Sequence, residues 1–352
     1  LNDRVVTRTL LHEAIPLTGT IISGTYSDNN IKNYSHGMFQ SVYDYPYLSS
    51  SANHIFDITF GVSADSALYS SVTSQKSKKK NIYNQMAQLL MGYDTNGNIL
   101  RFDEDGDVIG GGTKIDDAIF MNFARLLTKD EIKKESFSMT VGTNEDLDGN
   151  GVFHETTEVL DLSASSEYRV NSPAGEYAIL YATGNLHADV IDSNGYAKCG
   201  LIYYQAGVVV LSSSLFQDKA TNAGLLFEAT EIEWIDASTG IKDALKANEI
   251  SASADALRMR IQNIQFNNTT ELNSTVYFCR ANHNEFNYSS NPTYLSSSKL
   301  VVKNTTTDNP VSYITTVGLY NDNRELLAVA KLSEPLKKTP DTEFTLRVRL
   351  DY

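Results

Sequence analysis

Oxygen-bearing side chains recur at alternate positions in three short stretches of the sequence, a spacing that suits a hard cation. In DLDGNG, Asp146, Asp148 and Asn150 precede Gly151. This matches the first half of a calcium loop, where oxygens at odd positions converge and glycine allows the sharp bend. The match then stops. Thr157 stands where a bidentate glutamate belongs, Glu158 comes one residue late, and the flanks read as strands. A polar turn is the favoured reading, with Ca2+ on Asp146, Asp148 and Asn150 kept as the metal alternative. Asp94, Asn96 and Asn98, then Asp103, Asp105 and Asp107, repeat the pattern. There NGN and DGD lie between apolar residues and are strong turn signals, so turns account for both.

Other chemistry is sparser. The histidines are His12, His36, His54, His154, His187 and His283; no two are four residues apart, and no HExxH occurs. His283 lies near Glu285 in RANHNEFNYSSNP. An acid–base pair is imaginable there, but no nucleophile with an oxyanion site accompanies it, so a hydrogen-bonded loop is expected. GxSxG, P-loop and strand-linked GxGxxG patterns are all missing. No catalytic residue and no cofactor is assigned. Cys199 and Cys279 read as small buried thiols, and Trp234 as a core or interface anchor. KSKKK, residues 76–80, is the only basic run; it reads as a solvated loop ahead of a helix, contact with an acidic neighbour being the alternative.

The elements that must position these groups are mostly strands. Hydrophobic content of 41% and charged content of 20% fit a folded globular chain. Tyrosine (20) outnumbers phenylalanine (14); Tyr and Thr favour strands, while Asn, Ser and Gly supply turns. HIFDITFGVS alternates like a strand, and KNIYNQMAQLLMGY sets Ile82, Met86, Leu89 and Leu90 at helical spacing with Gly92 as a stop. DDAIFMNFARLL predicts a second short helix with Ile119, Phe123, Leu126 and Leu127 on one face. TKDEIKKESF predicts a helical turn capped by Thr128 and Glu131. SFSMTVG, EYAILYATG and GLIYYQAGVVVLSSSLF read as strands, the last as a hairpin turning at residues 205–207. IKDALKA and SADALRMRIQNI return to helical spacing, with Ser253 as a cap and Leu257, Ile261 and Ile264 as a stripe.

Five strand candidates close the chain: STVYFCR, SKLVVKN, VSYITTVGLY, RELLAVAKL and EFTLRVRLDY, with residues 321–323 as a hairpin loop. The expected fold class is mainly β (α+β), with β-sandwich or barrel-like sheets and a few short helices. The expected parts are a mixed α/β region over 1–135, a β domain over 136–240, and a helix followed by a five-stranded β unit over 241–352.

A net charge of −14, from 43 acidic and 29 basic residues, disfavours a nucleic-acid coat or a membrane-surface protein. No apolar run reaches membrane length, and the first twenty residues carry Arg and Glu inside their apolar pattern, unlike a signal peptide. Sequons at Asn33, Asn268, Asn273, Asn287 and Asn304 read as by-products of Asn, Ser and Thr richness.

EFNYSSNPTY and TTVGLYNDNRELLAVAKLSEPLKK, together with the N-terminal YSHGMFQSVYDYPYLSSSANHIFDITFG, resemble virion structural proteins of T4-like tailed bacteriophages, especially those of marine cyanobacteria. The resemblance implies a virion component of the tail or baseplate, not an enzyme, with neck or head attachment as a further possibility. The implied partners are other virion proteins and copies of the chain in a symmetric homo-oligomer, with no nucleic acid and no membrane insertion. The alternative class is a host-surface receptor binder for glycans, with Tyr43, Tyr45 and Tyr47 as its aromatic cluster.

The same tyrosines and the terminal strand are the expected interface residues. In FTLRVRLDY, Phe344, Leu346, Val348, Leu350 and Tyr352 alternate with Thr345, Arg347, Arg349 and Asp351. Such a strand completes its own sheet or joins subunits at an exposed edge. Completion in cis, with residues 318–320 and the following hairpin as neighbours, is the favoured expectation.

Overall fold

The computed structural model describes residues 4–16, 28–68, 74–107, 111–143, 155–217, 219, 224–226, 249–258, 260–289, 291–292, 295–296, 299–300, 305 and 307–351. Asp146, Asp148, Asn150, Trp234 and Tyr352, and the IKDALKA segment, lie outside the described residues. The chain divides into two compact units. The larger spans His12–Thr270; the smaller joins Leu1–Leu11 to Glu271–Tyr352.

Strands dominate, as the composition predicts. They are β1 (Arg4–Pro16), β2 (Ile31–Asn33), β3 (Gln40–Tyr43), β4 (His54–Val62), β5 (Asp117–Asn122), β6 (Glu131–Ile132), β7 (Ser138–Gly142), β8 (Thr156–Leu160), β9 (Arg169–Ser172) and β10 (Gly175–Gly184). Then come β11 (Ala197–Tyr203), β12 (Val208–Ser212), β13 (Ile261–Gln265), β14 (Asn267–Ala281), β15 (Leu295–Ser296), β16 (Lys299–Leu300), β17 (Ser312–Tyr320), β18 (Leu326–Lys338) and β19 (Phe344–Asp351). Among the described residues three α-helices accompany them: α1 (Ser74–Leu90), α2 (Ala164–Glu167) and α3 (Ile250–Arg258). No helix among the described residues is long and apolar enough to cross a membrane.

In the larger unit an 11-stranded sheet runs β13-β7-β8-β10-β11-β12-β5-β4-β3-β2, with β9 on β10. Its ladders are all antiparallel. Both faces of its centre are buried. Successive residues of β12 therefore enter different cores: Val208 and Val210 one, Val209 and Leu211 the other. Helix α1 covers the first face with Ile82, Tyr83, Ala87 and Leu90. Helix α3 brings Ala254 and Leu257 to the second, beside Phe56, Phe123 and Phe266. Gly61 in β4 allows the close approach of α1: a Cβ there would stand 2.8 Å from the Tyr83 amide nitrogen.

Several local expectations change. DDAIFMNFARLL forms β5 and a 3-10 turn at Ala124–Leu126, not an α-helix. Ala118 to Met121 are all buried, and a continuous apolar run carries no period to separate strand from helix. TKDEIKKESF holds β6 and a turn in place of a capped helix. The lysine run sits inside α1, not ahead of it. Ser253 lies within α3, while Ile261 and Ile264 belong to β13. The hairpin at 205–207 forms as read, with Gly207 at φ +64° in its turn. The sequon at Asn268 is fully buried, its amide donating to the Leu126 carbonyl (2.9 Å) and Thr128 Oγ1 (3.3 Å).

Candidate functional site

The terminal strand pairs antiparallel with β14, in register from Ser274↔Asp351 to Ala281↔Phe344. The strand order in this sheet is β1-β14-β19. The neighbour in cis is thus β14, not the residue 318–320 hairpin expected from sequence. No described strand pairs with the other edge of β19. Strand alternation then sorts the side chains. Tyr277, Cys279, Leu346, Val348 and Leu350 share one face; Val276, Phe278, Arg280, Arg347 and Arg349 share the other.

Strands β17 and β18 form a separate two-stranded sheet, closed by the residue 321–325 turn with Arg324 at φ +65°. A bulge near Ile314 and Thr316 breaks its register. An apolar groove of about 420 Å3 opens in this unit, lined by Cys279, Ala281, Phe286, Ile314, Val317 and Leu346 among others.

Phe286 stands at this groove with φ +53° and is 62% exposed. A bulky side chain in left-handed backbone is held there against its own preference. Its loop is clamped. Buried Lys338 donates from Nζ to the carbonyls of His283 (3.1 Å) and Thr339 (2.8 Å) and to Asn287 Oδ1 (2.8 Å). Ser312 Oγ donates to the Phe286 carbonyl. Glu285 accepts from the Asn282 amide (3.3 Å), and His283 meets Glu343 at 3.3 Å. His283 and Glu285 therefore serve a hydrogen-bonded loop, as the sequence favoured.

Apolar burial is thin in the smaller unit. Neither hydrophobic core contains a residue beyond Phe266. Among the described residues of the smaller unit only Val276 and Ala281 are buried apolar side chains, while Phe278, Tyr313, Tyr320, Leu327 and Val329 are exposed. Phe344, Leu346, Val348 and Leu350, expected at an interface, are all half-buried. Charge is also divided unevenly. The smaller unit holds 11 Lys/Arg and 10 Asp/Glu, a net +1; the larger holds the remaining 18 and 33, a net −15.

The remaining candidates lie in the larger unit. Tyr43 packs edge-on against His54 (centroids 5.4 Å) and lies 6.4 Å from Tyr47, while Tyr45 and Tyr47 are exposed. Asp103, Asp105 and Asp107 bring one oxygen each within 4.8 Å of one another. Lys114 supplies positive charge there through its ion pair with Asp103. Asp94 accepts from the amides of Asn96 and Asn98, both at 2.8 Å, which makes the NGN stretch the turn that its sequence predicts.

A cleft of about 450 Å3 is lined by Glu104, Tyr181, Asp192, Tyr196, Lys198 and Lys219 among others. Burial, aided by Asp103, pushes the Glu104 carboxyl up to about 7. Sequence reading did not single out Glu104, Phe286 or the Phe278–Arg280 pair; only the last had a signal, an aromatic and an arginine two apart on one strand face. Cys199 and Cys279 are both free thiols, the first buried. Comparison with protein-family models, with curated proteins and with solved structures finds no match to this chain.

Proposed function

We propose that this chain is a structural subunit of a tailed-phage virion, in the tail or baseplate, and that its activity is assembly. The observation that carries this reading is the smaller unit: two sheets with alternating apolar faces, an open strand edge, and no hydrophobic core among its described residues. Burying a Val, Leu or Phe side chain fully is worth roughly 1.5–3 kcal/mol, so such faces gain most when other polypeptides cover them. Exposed aromatic residues suit that role, because they give large contact area at low entropic cost. The resemblance to T4-like virion proteins supplies the particle, with other virion proteins and further copies of the chain as partners. Mass spectrometry of purified particles of the encoding phage, with immunogold labelling by an antibody to the full chain, tests it. Stoichiometric copies in the tail or baseplate are expected; absence from purified particles overturns it, and labelling at the neck or head moves the location.

The exposure of Tyr45 and Tyr47 favours a second reading, a glycan receptor site at residues 43–47. Glycan-array binding lost on Tyr45→Ala would support it, and an array with no binding would end it.

A further inference from the structure

The outer face of the β14–β19 ladder carries Phe278 between arginines. Arg347 lies directly opposite Phe278, Arg280 follows two residues along the same strand, and Arg349 lies opposite Val276. All three arginines and Phe278 are exposed. Arg349 is paired in cis with Asp351 (2.6 Å), whereas Arg280 and Arg347 make no ion pair among the described residues. Arginine and aromatic residues together are the composition of interface hot spots.

We infer that this arginine face docks on the acidic larger unit of a second copy, in a head-to-tail contact. The inference rests on the assembly reading above and names its geometry. Charge decides the occupant. The face belongs to a unit of net +1, while the rest of the same chain carries −15, so each copy brings both halves of a complementary pair. A two-fold contact of this face with itself would set arginine on arginine. The same holds at the open edge. The registers of greatest overlap between two antiparallel copies of β19 put Arg347 opposite Arg349 or opposite itself, and like charges directly opposite are destabilising. A heterologous contact avoids this and propagates into a ring or a stack, as a repeated particle component requires. Nucleic acid is the disfavoured occupant: three arginines would have to hold a polyanion against a whole-chain charge of −14.

Sedimentation velocity of the full chain tests this at about 0.1 M and about 1 M salt, where the screening length falls from about 10 Å to about 3 Å. Concentration-dependent association at low salt, weakened at high salt, is expected. Arg280→Glu with Arg347→Glu should weaken it by about tenfold or more. Arg280→Lys with Arg347→Lys should retain most of it, since the attraction is Coulombic, and thereby separates a lost contact from a misfolded chain. Cross-links in mixed-isotope samples should join residues near 347 to the 12–270 unit of another copy.

A chain that stays monomeric at both salts, association unchanged in the Glu variant, or cross-links confined to paired smaller units overturns the inference. So does low-salt binding of a short DNA that the Glu variant loses. None of these results bears on whether particles contain the protein, so the assembly reading stands or falls separately.

Discussion

Strands β12 and β19 are both rich in branched apolar residues, and they meet opposite fates. All five residues of β12 are buried; of the eight in β19, none is. The first reads VVVLS, an unbroken apolar run, and lies deep in an 11-stranded sheet with a core on each face. The second reads FTLRVRLD, alternates strictly, and ends its sheet's strand order. A run without polar residues can be covered only on both faces, so it specifies the middle of a sandwiched sheet. Strict alternation leaves one face for solvent or for a partner. The larger unit thus buries its apolar residues in its own cores, and the smaller one leaves most of its own half-buried or exposed.

Deleting residues 344–352 should give the largest effect that this contrast allows. It removes the whole ladder from Ser274↔Asp351 to Ala281↔Phe344 and leaves both faces of β14 without their neighbour. Hydrogen exchange should show protection lost over residues 275–281 and retained over 198–203 in β11. Loss in both places would mean that the two units do not hold themselves together separately. Next in size is Phe56→Ala, which empties a fully buried site in the larger core and should cost about 3–5 kcal/mol. Leu346→Ala, from a half-buried site, should cost under about 1 kcal/mol in the isolated protein yet weaken association. Urea denaturation with sedimentation distinguishes the two; equal costs would erase the contrast.

Much of this contrast is legible in the residues themselves. The alternation of HIFDITFGVS, VSYITTVGLY and EFTLRVRLDY and the turns at 205–207 and 321–323 mark strands and hairpins that form. Where period is lost, reading fails: Ala118 to Met121 are apolar throughout, and sheet and helix bury them equally well. The start of α1 is hidden for another reason, since Lys76 to Lys80 carry no apolar stripe, and Lys79 is nonetheless buried. The arginine face was legible as alternate residues of β19, but its completion by Arg280 needed the β14 register. Neither the left-handed backbone of Phe286 nor the groove beside it has a local signature, because both arise from contacts between segments distant in sequence.

Lys338 sharpens the comparison further, because it is the smaller unit's substitute for a core. Its ammonium, with three oxygen acceptors around it, ties the Phe286 loop where apolar packing does not. Lys338→Met would leave those acceptors without their donor and should cost about 1–3 kcal/mol. The loss should be seen as faster hydrogen exchange over residues 282–287, with no change in the larger unit. If the loop keeps its protection, packing and not this hydrogen-bonded post holds Phe286 in place.

The larger unit has a buried lysine of its own, and there the expected effect depends on pH. Lys79 Nζ lies 5.1 Å from the Phe60 ring centroid and donates to Ser253 Oγ (3.1 Å). Burial, with Lys76 nearby, brings its ammonium down from 10.5 to about 8. Below about pH 8 both folded and unfolded chains carry the charge, and the folded chain bears the cost of burying it. Between about 8 and 10.5 the unfolded chain alone keeps the proton, so stability contributed at this position rises with pH across that window. The difference between wild type and Lys79→Met is the quantity to follow. In urea denaturation at a series of pH values, Lys79→Met should be the more stable protein at pH 7, and its advantage should shrink as pH climbs to about 10. A constant offset would show that the lysine's hydrogen bond, and not its charge, matters at this site.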